Sequence, residues 1–218
     1  MIAYKYKNNV YLNITNRCTM KCPYCIKTGW KYKFRGCNLK LKKEPTYEQV
    51  LGSLRRAFRN SKIPRPAVAG APPPFLKGEI PKKAGEVVFC GYGEPLLRLD
   101  LIKRVALYLK RNLYNVRINT NGHGNLIHKR NIIPELVGLI DCLYVSINAE
   151  NAKKYFQIHK PVFGRKTFKS VLSFVLECKK YLPRVVVTAV EIPGVDVKKI
   201  ELIAKKLDVG FLRRPYLT

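Results

Sequence analysis

Negative charge is what this chain has least of. Its 14 Asp plus Glu face 42 Lys plus Arg, for a formal net charge of +28 and a pI near 10. The shortage is uneven: no acidic residue occurs from Met1 to Lys43, while Lys5, Lys7, Arg17, Lys21, Lys27, Lys31, Lys33, Arg35, Lys40, Lys42 and Lys43 accumulate there. Such a field attracts polyanions and speeds association with acidic partners. Long apolar runs are missing too. None approaches the ~20 residues of a membrane span, so no membrane partner is expected. Solenoid repeats are absent. The seven cysteines are odd in number in a chain of 218 residues, and no signal peptide precedes Met1-Ile2-Ala3-Tyr4-Lys5. These features argue against a disulfide framework and for reduced thiols, hence a cytoplasmic protein. A hydrophobic content of 47% suffices for one domain over 1–218.

Apolar runs of strand length recur between helical patterns, which predicts parallel strands joined by crossover helices. Expected strands are Val10–Thr15, Glu86–Cys90, Asn115–Thr120, Cys142–Ile147, Arg184–Val190 and Phe211–Arg214. Thr46 and Gln49 have capping-box spacing before a helix carrying Leu51, Leu54 and Phe58. Further helices are expected from Asp100, around Ile133–Ile140, along Phe168–Cys178, and after a cap at Asp196. Six prolines and two glycines between Pro64 and Pro81 read as an extended loop, an insertion at about 61–84.

Polar residues occupy every second place in these strands: Tyr11, Asn13 and Thr15; Arg117 and Asn119; Tyr144, Ser146 and Asn148; Thr188; Arg213. Leu12, Ile14, Val116, Ile118, Leu143, Val145 and Ile147 alternate with them. Parallel sheets covered on both faces are nearly all apolar. One apolar face under helices and one polar face that is not solvated fit an α/β fold closed into a partial (βα)6 TIM-like barrel with a polar interior.

The chemistry concentrates in Cys18-Thr19-Met20-Lys21-Cys22-Pro23-Tyr24-Cys25, a CxxxCxxC loop leaving the first strand. A tetrahedral structural zinc takes four protein ligands, and Cys37 lies near enough downstream to complete a zinc knuckle. Three thiolates alone suit a cube of four irons with one iron open to another ligand.

With an aromatic, Tyr24, before its last cysteine, this spacing resembles the signature of the radical S-adenosylmethionine superfamily. The resemblance implies that Cys18, Cys22 and Cys25 ligate a 4Fe-4S cluster and that S-adenosyl-L-methionine is the second cofactor. One electron from the cluster would cleave the cofactor to a 5′-deoxyadenosyl radical that abstracts hydrogen from the substrate. Gly91-Tyr92-Gly93-Glu94-Pro95 looks like the family's GGEP motif, with Tyr92 at the first glycine and Glu94 available to the cofactor's ammonium. Asn119 and Asn121, ending the third strand, and Ser146 and Asn148, ending the fourth, are expected at the cofactor's ribose and carboxylate. Ile192 and Gly194 match part of an adenine-contacting GxIxGxxE stretch, while Val190 and Val197 depart from it. Longer strings, Asn13 to Cys18, Gly93 to Asp100, Asn119 to His128 and Ser146 to Asn151, resemble TatD-associated members and imply association with a TatD-type nuclease.

Other features stay open at this point. His123 and His128 bind substrate or are structural; Cys90 and Cys142 read as buried small hydrophobes. Trp30, Tyr32 and Phe34 interleave with Lys31, Lys33 and Arg35. That pattern suits a surface that neutralises phosphates and stacks bases of RNA or another nucleic acid. It equally suits a strand with a solvated basic face and an apolar inner face, or a dock for an acidic electron donor such as ferredoxin or flavodoxin. The expected function is a radical enzyme acting on a nucleic acid or nucleotide. The alternatives are radical modification of a protein or peptide, and a zinc-stapled RNA-binding module.

Overall fold

The computed structural model describes residues 1–59 and 85–216; the expected proline-rich loop lies outside them. Seven strands form one sheet in the order β1-β2-β5-β6-β7-β8-β9. They are β1 (Ala3–Tyr6), β2 (Asn9–Leu12), β5 (Val87–Phe89), β6 (Val116–Thr120), β7 (Cys142–Ser146), β8 (Val185–Val190) and β9 (Gly210–Arg214). From β2 onward every neighbouring pair is parallel. The strand order never reverses, as it would in a doubly wound sheet, so the chain winds in one direction as a barrel does. Only β1 runs against its neighbour, Tyr4 facing Tyr11.

The sheet curls. Along it, β5 and β9 are four strand spacings apart, about 19 Å. Yet the Arg214 guanidinium is an electrostatic neighbour of Cys90, just past β5, and lies 5.9 Å from the Tyr144 ring on β7. Arg214 thus reaches across the polar face toward the far strands, as a curled sheet allows. The inner face is the polar one: Arg117 bonds Glu86 at 2.9 Å and Asn119 at 3.1 Å and stacks 4.3 Å over Tyr144. The expected apolar face is fully buried at Leu12, Ile14, Val116, Ile118, Leu143, Val145 and Ile147.

Helices α2 (Tyr47–Arg59), α3 (Leu99–Arg111), α6 (Thr167–Tyr181) and α7 (Val197–Lys206) cross between strands. The Thr46 hydroxyl accepts from Gln49 N–H while Gln49 Oε1 accepts from Thr46 N–H, the reciprocal cap its spacing predicts. Asp196 likewise accepts from Lys199 N–H. Short α1 (Ile26–Gly29), α4 (Gly124–His128) and α5 (Ala152–His159), and a hairpin of β3 (Lys33–Phe34) with β4 (Cys37–Asn38), complete the described fold.

Several expectations need correction. Arg213 does not face inward; Val190 pairs with Arg214, so Arg214 shares the inner face with Thr188 while Arg213 meets Glu191 outside. A one-residue offset flips the side chains of a strand. The first strand stops at Leu12, and the Asn13 and Asn16 side-chain amides just beyond it donate to the Leu39 and Leu41 carbonyls. Ile133–Leu136 is only a single 3-10 turn. Trp30, Tyr32 and Phe34 turn inward: Trp30 stacks on Phe34, Phe34 meets Tyr4 and Tyr6 edge-on, and Tyr32 meets Tyr92. Lys31, Lys33 and Arg35 stay exposed. Those rings are packed on one another, as the apolar inner face requires.

Candidate active site at the mouth of the sheet

The CxxxCxxC loop leaves β2 at the carboxyl end of the parallel strands, where such sheets bind ligands. Cys18, Cys22 and Cys25 are electrostatic neighbours of one another. Cys37 instead neighbours the Met1 amine and Tyr4, across the hairpin. Among the described residues no three His, Cys, Asp or Glu side chains converge on one metal-ion position. A zinc holds its sulfurs about 2.3 Å from a single point. A cube meets its thiolates at separate irons. Burial, with added repulsion from Glu94, pushes the Cys18 thiol up to about 11 even though the residue edge is exposed. Burial pushes Cys22 up to about 12. Bound cationic iron would reverse that preference and favour the thiolates.

The Gly91–Pro95 turn backs directly onto this loop. A Cβ on Gly93 would stand 2.4 Å from the Arg17 carbonyl oxygen and 2.5 Å from that of Thr15; on Gly91 it would stand 2.1 Å from Asn13 Oδ1. Glu94 N–H donates to the Arg17 carbonyl at 2.8 Å. Gly93 therefore lets two stretches of backbone touch, and Gly91 leaves room for the Asn13 side chain. Tyr92 points away, its hydroxyl donating to the Lys33 carbonyl under the hairpin.

Glu94 is held by three donors of the protein itself. Only 2% exposed, it accepts from Thr120 Oγ1 at 2.7 Å and Leu96 N–H at 3.0 Å on one oxygen, and from Asn121 N–H at 2.7 Å on the other. Burial raises it to about 7, with those three donors opposing. Its carboxyl ties the exit of β5 to the exit of β6.

Two buried histidines bolt the loop to the barrel. Asn121 Nδ2 donates to Thr19 Oγ1 at 3.0 Å, so the Thr19 hydroxyl donates to His123 Nδ1 at 2.7 Å. His123 Nε2–H then reaches Tyr155 at 2.9 Å. On the other side His159 Nδ1–H donates to the Tyr155 carbonyl, and Nε2 accepts from the Tyr24 hydroxyl at 2.9 Å. The same Tyr24 oxygen accepts from Asn148 Nδ2 at 2.9 Å. Burial lowers His123 to about 3 and His159 to about 4, so both are neutral. His128 donates to the Leu96 carbonyl. The histidines are thus positioning groups.

Tyr24, Asn121 and Asn148 meet at the cysteine loop, and Asn121 Nδ2 lies 3.8 Å from Cys18 Sγ. Asn119 sits deeper, on Arg117. Ser146 pairs with Thr188 at 3.1 Å across β7 and β8, and half-buried Ile192 lies in the loop after β8. Sequence reading missed His159, Tyr155 and Thr19. The signal available was Asn151, which caps α5 by accepting from Lys154 N–H; that helix fixes the spacing of Tyr155 and His159. Glu44 was missed as well. It accepts from Thr15, Arg17 and Arg98 and pins the loop's outer edge.

The model of the radical SAM superfamily matches residues 76–207, more than half of the chain, which therefore belongs to that superfamily. The matched span holds the Gly91–Pro95 turn and four parallel strands; the cysteine loop precedes it. The superfamily implies a 4Fe-4S cluster and S-adenosyl-L-methionine as cofactors, and the thiol set fits the first. An uncharacterized protein of Methanocaldococcus jannaschii is 31% identical over 128 residues, 58% of this chain and 42% of that protein. The chain thus spans less than half the length of that relative. Streptococcus suis SuiB bound to S-adenosylmethionine superposes with a TM-score of 0.60 at 13% identity, over 95% of this chain and 40% of that one. A radical SAM methyltransferase from Sphaerobacter thermophilus gives 0.54 at 15%, over 98% and 68%. SuiB is also solved bound to precursor peptide SuiA, again at 0.60, with 14% identity over 94% and 38%. These likenesses show the fold. No described helix is long and apolar enough to cross a membrane.

Proposed function

We propose that the chain is a radical enzyme that cleaves S-adenosyl-L-methionine reductively and abstracts hydrogen from an anionic substrate. The observation that carries this reading is the set of three mutually neighbouring thiols held at the mouth of a singly wound parallel sheet, with Cys37 elsewhere. The bound cofactors supply the one-electron cleavage and the radical. The protein's part is positional. Cys18, Cys22 and Cys25 hold the cluster; the Thr19, Tyr24 and Glu94 contacts fix the loop that carries them. Backbone at Gly91–Gly93, with Tyr24, Asn121, Ser146, Asn148 and Ile192, lines the cofactor's place, and the curled sheet excludes water below it.

A nucleic-acid or nucleotide substrate follows from the net charge of +28. A peptide substrate is the second reading, drawn from the fold shared with peptide-bound SuiB. An acidic electron donor and a TatD-type nuclease are the proposed partners. Anaerobic reconstitution tests the reading: iron and sulfide content, visible absorbance and 5′-deoxyadenosine formation should be lost in Cys18→Ala, Cys22→Ala and Cys25→Ala and kept in Cys37→Ala. Stoichiometric zinc in protein purified without oxygen, or equal loss in Cys37→Ala, would overturn it in favour of a zinc-stapled module.

A further inference from the structure

A second acid-free stretch became visible only in the fold. No Asp or Glu occurs between Glu150 and Glu177, while Lys153, Lys154, Lys160, Arg165, Lys166 and Lys169 do. The fold seats this stretch on the first one. Val162 N–H donates to the Thr19 carbonyl at 3.1 Å, and Lys21 N–H donates to the His159 carbonyl at 2.8 Å. At the junction a tight turn, with Lys160 and Gly164 at positive φ, lifts Val162 and Phe163 to the surface at 62% and 37% exposure. Phe163 rests edge-on against His123. Beside this apolar knob runs a groove of ≈ 670 Å³ lined by Lys153, Phe156, Gln157, Lys160 and Arg165. Among the described residues, Lys21, Lys153, Lys160, Arg165 and Lys166 form no ion pair. Cys18, the residue before Thr19 in the loop, is itself exposed.

We infer that this face, the Val162–Phe163 knob with its basic groove, is the docking surface for an acidic one-electron donor protein of the flavodoxin or ferredoxin class. The inference rests on the reading of the thiol loop as a cluster site. An apolar centre ringed by unpaired cations has the anatomy of a protein interface, and its charge is complementary to an acidic partner. Nucleic acid would find cations here too, but the most exposed part of the knob is aliphatic Val162, which offers no ring for a base to stack on. The surface also meets the loop itself, through backbone bonds at Thr19 and Lys21, which lie between Cys18 and Cys22. The step is one electron: the donor is oxidised by one, the cluster is reduced by one, and no bond or proton moves.

The test is a titration of the purified protein with an acidic flavodoxin across a salt series, using the wild type and the triple variant Lys153→Glu, Lys160→Glu, Arg165→Glu. Lys198→Glu, Lys205→Glu, Lys206→Glu on α7 is the control with the same change in net charge. The inference expects binding at low salt to fall roughly 100-fold in the first variant, within the range of electrostatic steering, and little in the control. Val162→Asp should weaken binding at every salt concentration. Equal binding by both triple variants, or a single-stranded RNA oligonucleotide lost from the first variant while flavodoxin binding is unchanged, would overturn it. Stopped-flow reduction is the second readout: slowed by the first variant with flavodoxin, unchanged with dithionite. A chain that assembles no cluster sinks the enzyme reading, and the binding titration still decides the docking surface.

Discussion

Two glutamates hold the same cysteine loop, and they do so by opposite physics. Glu94 is buried among neutral donors, is raised to about 7 by that burial, and belongs to an inner flank that includes His123, His159 and Tyr24. Glu44 lies at the rim, where burial would raise it but hydrogen bonds from Arg17 and Thr15 and the charge of Arg98 hold it below the usual carboxylate range. The inner flank works by geometry in a low dielectric, where an unsatisfied group is costly. The outer flank works by charge in water, where salt screens it. Position is therefore set inside and only supplemented outside.

The sharpest way to break the inner flank is Gly93→Ala. Its methyl group would meet two carbonyl oxygens at 2.4 and 2.5 Å, so backbone must move, at about 3 kcal/mol or more. Chemical denaturation should show that loss, and iron retention after reconstitution should fall with it. His159→Ala should rank next. It removes the acceptor of the Tyr24 hydroxyl and leaves a void, costing about 2–3 kcal/mol and lowering the melting temperature.

The pH dependence sharpens the contrast. Both histidines have folded pKa values below the unfolded 6.5, so the unfolded chain binds more protons and stability falls as pH drops from about 6.5 toward 4 and 3. Glu94, raised to about 7, works against this between about 4.5 and 7. Two histidines outweigh one carboxylate, so urea midpoints should decline on acidification. A His123→Gln, His159→Gln variant should show a flatter profile, and an unchanged one would deny the histidines this part. The smallest effect is expected for Glu44→Ala. It should cost at most about 1 kcal/mol and shrink further in high salt, whereas the His159→Ala deficit should not.

The six parallel strands, the α2 and α7 caps and the thiol set were legible because each rests on local spacing: apolar alternation, Thr46 to Gln49, Cys18 to Cys25. The inner flank was not, because its members are far apart in sequence. His159 and Tyr24 are 135 residues apart; nothing near either announces the other. Arg213 was preferred to Arg214 because alternation alone does not say which of two adjacent arginines pairs with Val190. The Lys31–Arg35 pattern had three readings, and the ring contacts at Phe34 show where its aromatics pack without saying what its exposed cations meet.

Where Gly93 meets the loop after β2, main chain faces main chain, the nearest atoms being backbone of Thr15, Asn16 and Arg17. A side chain in a contact is a spring: it changes rotamer and absorbs a displacement. Here there is no spring. Whatever shifts the exit of β5, a ligand entering the barrel or a strain on the sheet, shifts Thr15–Arg17 by the same amount. The three thiols behind them move as one piece with the strand, so the loop acts as a rigid lever on the barrel wall.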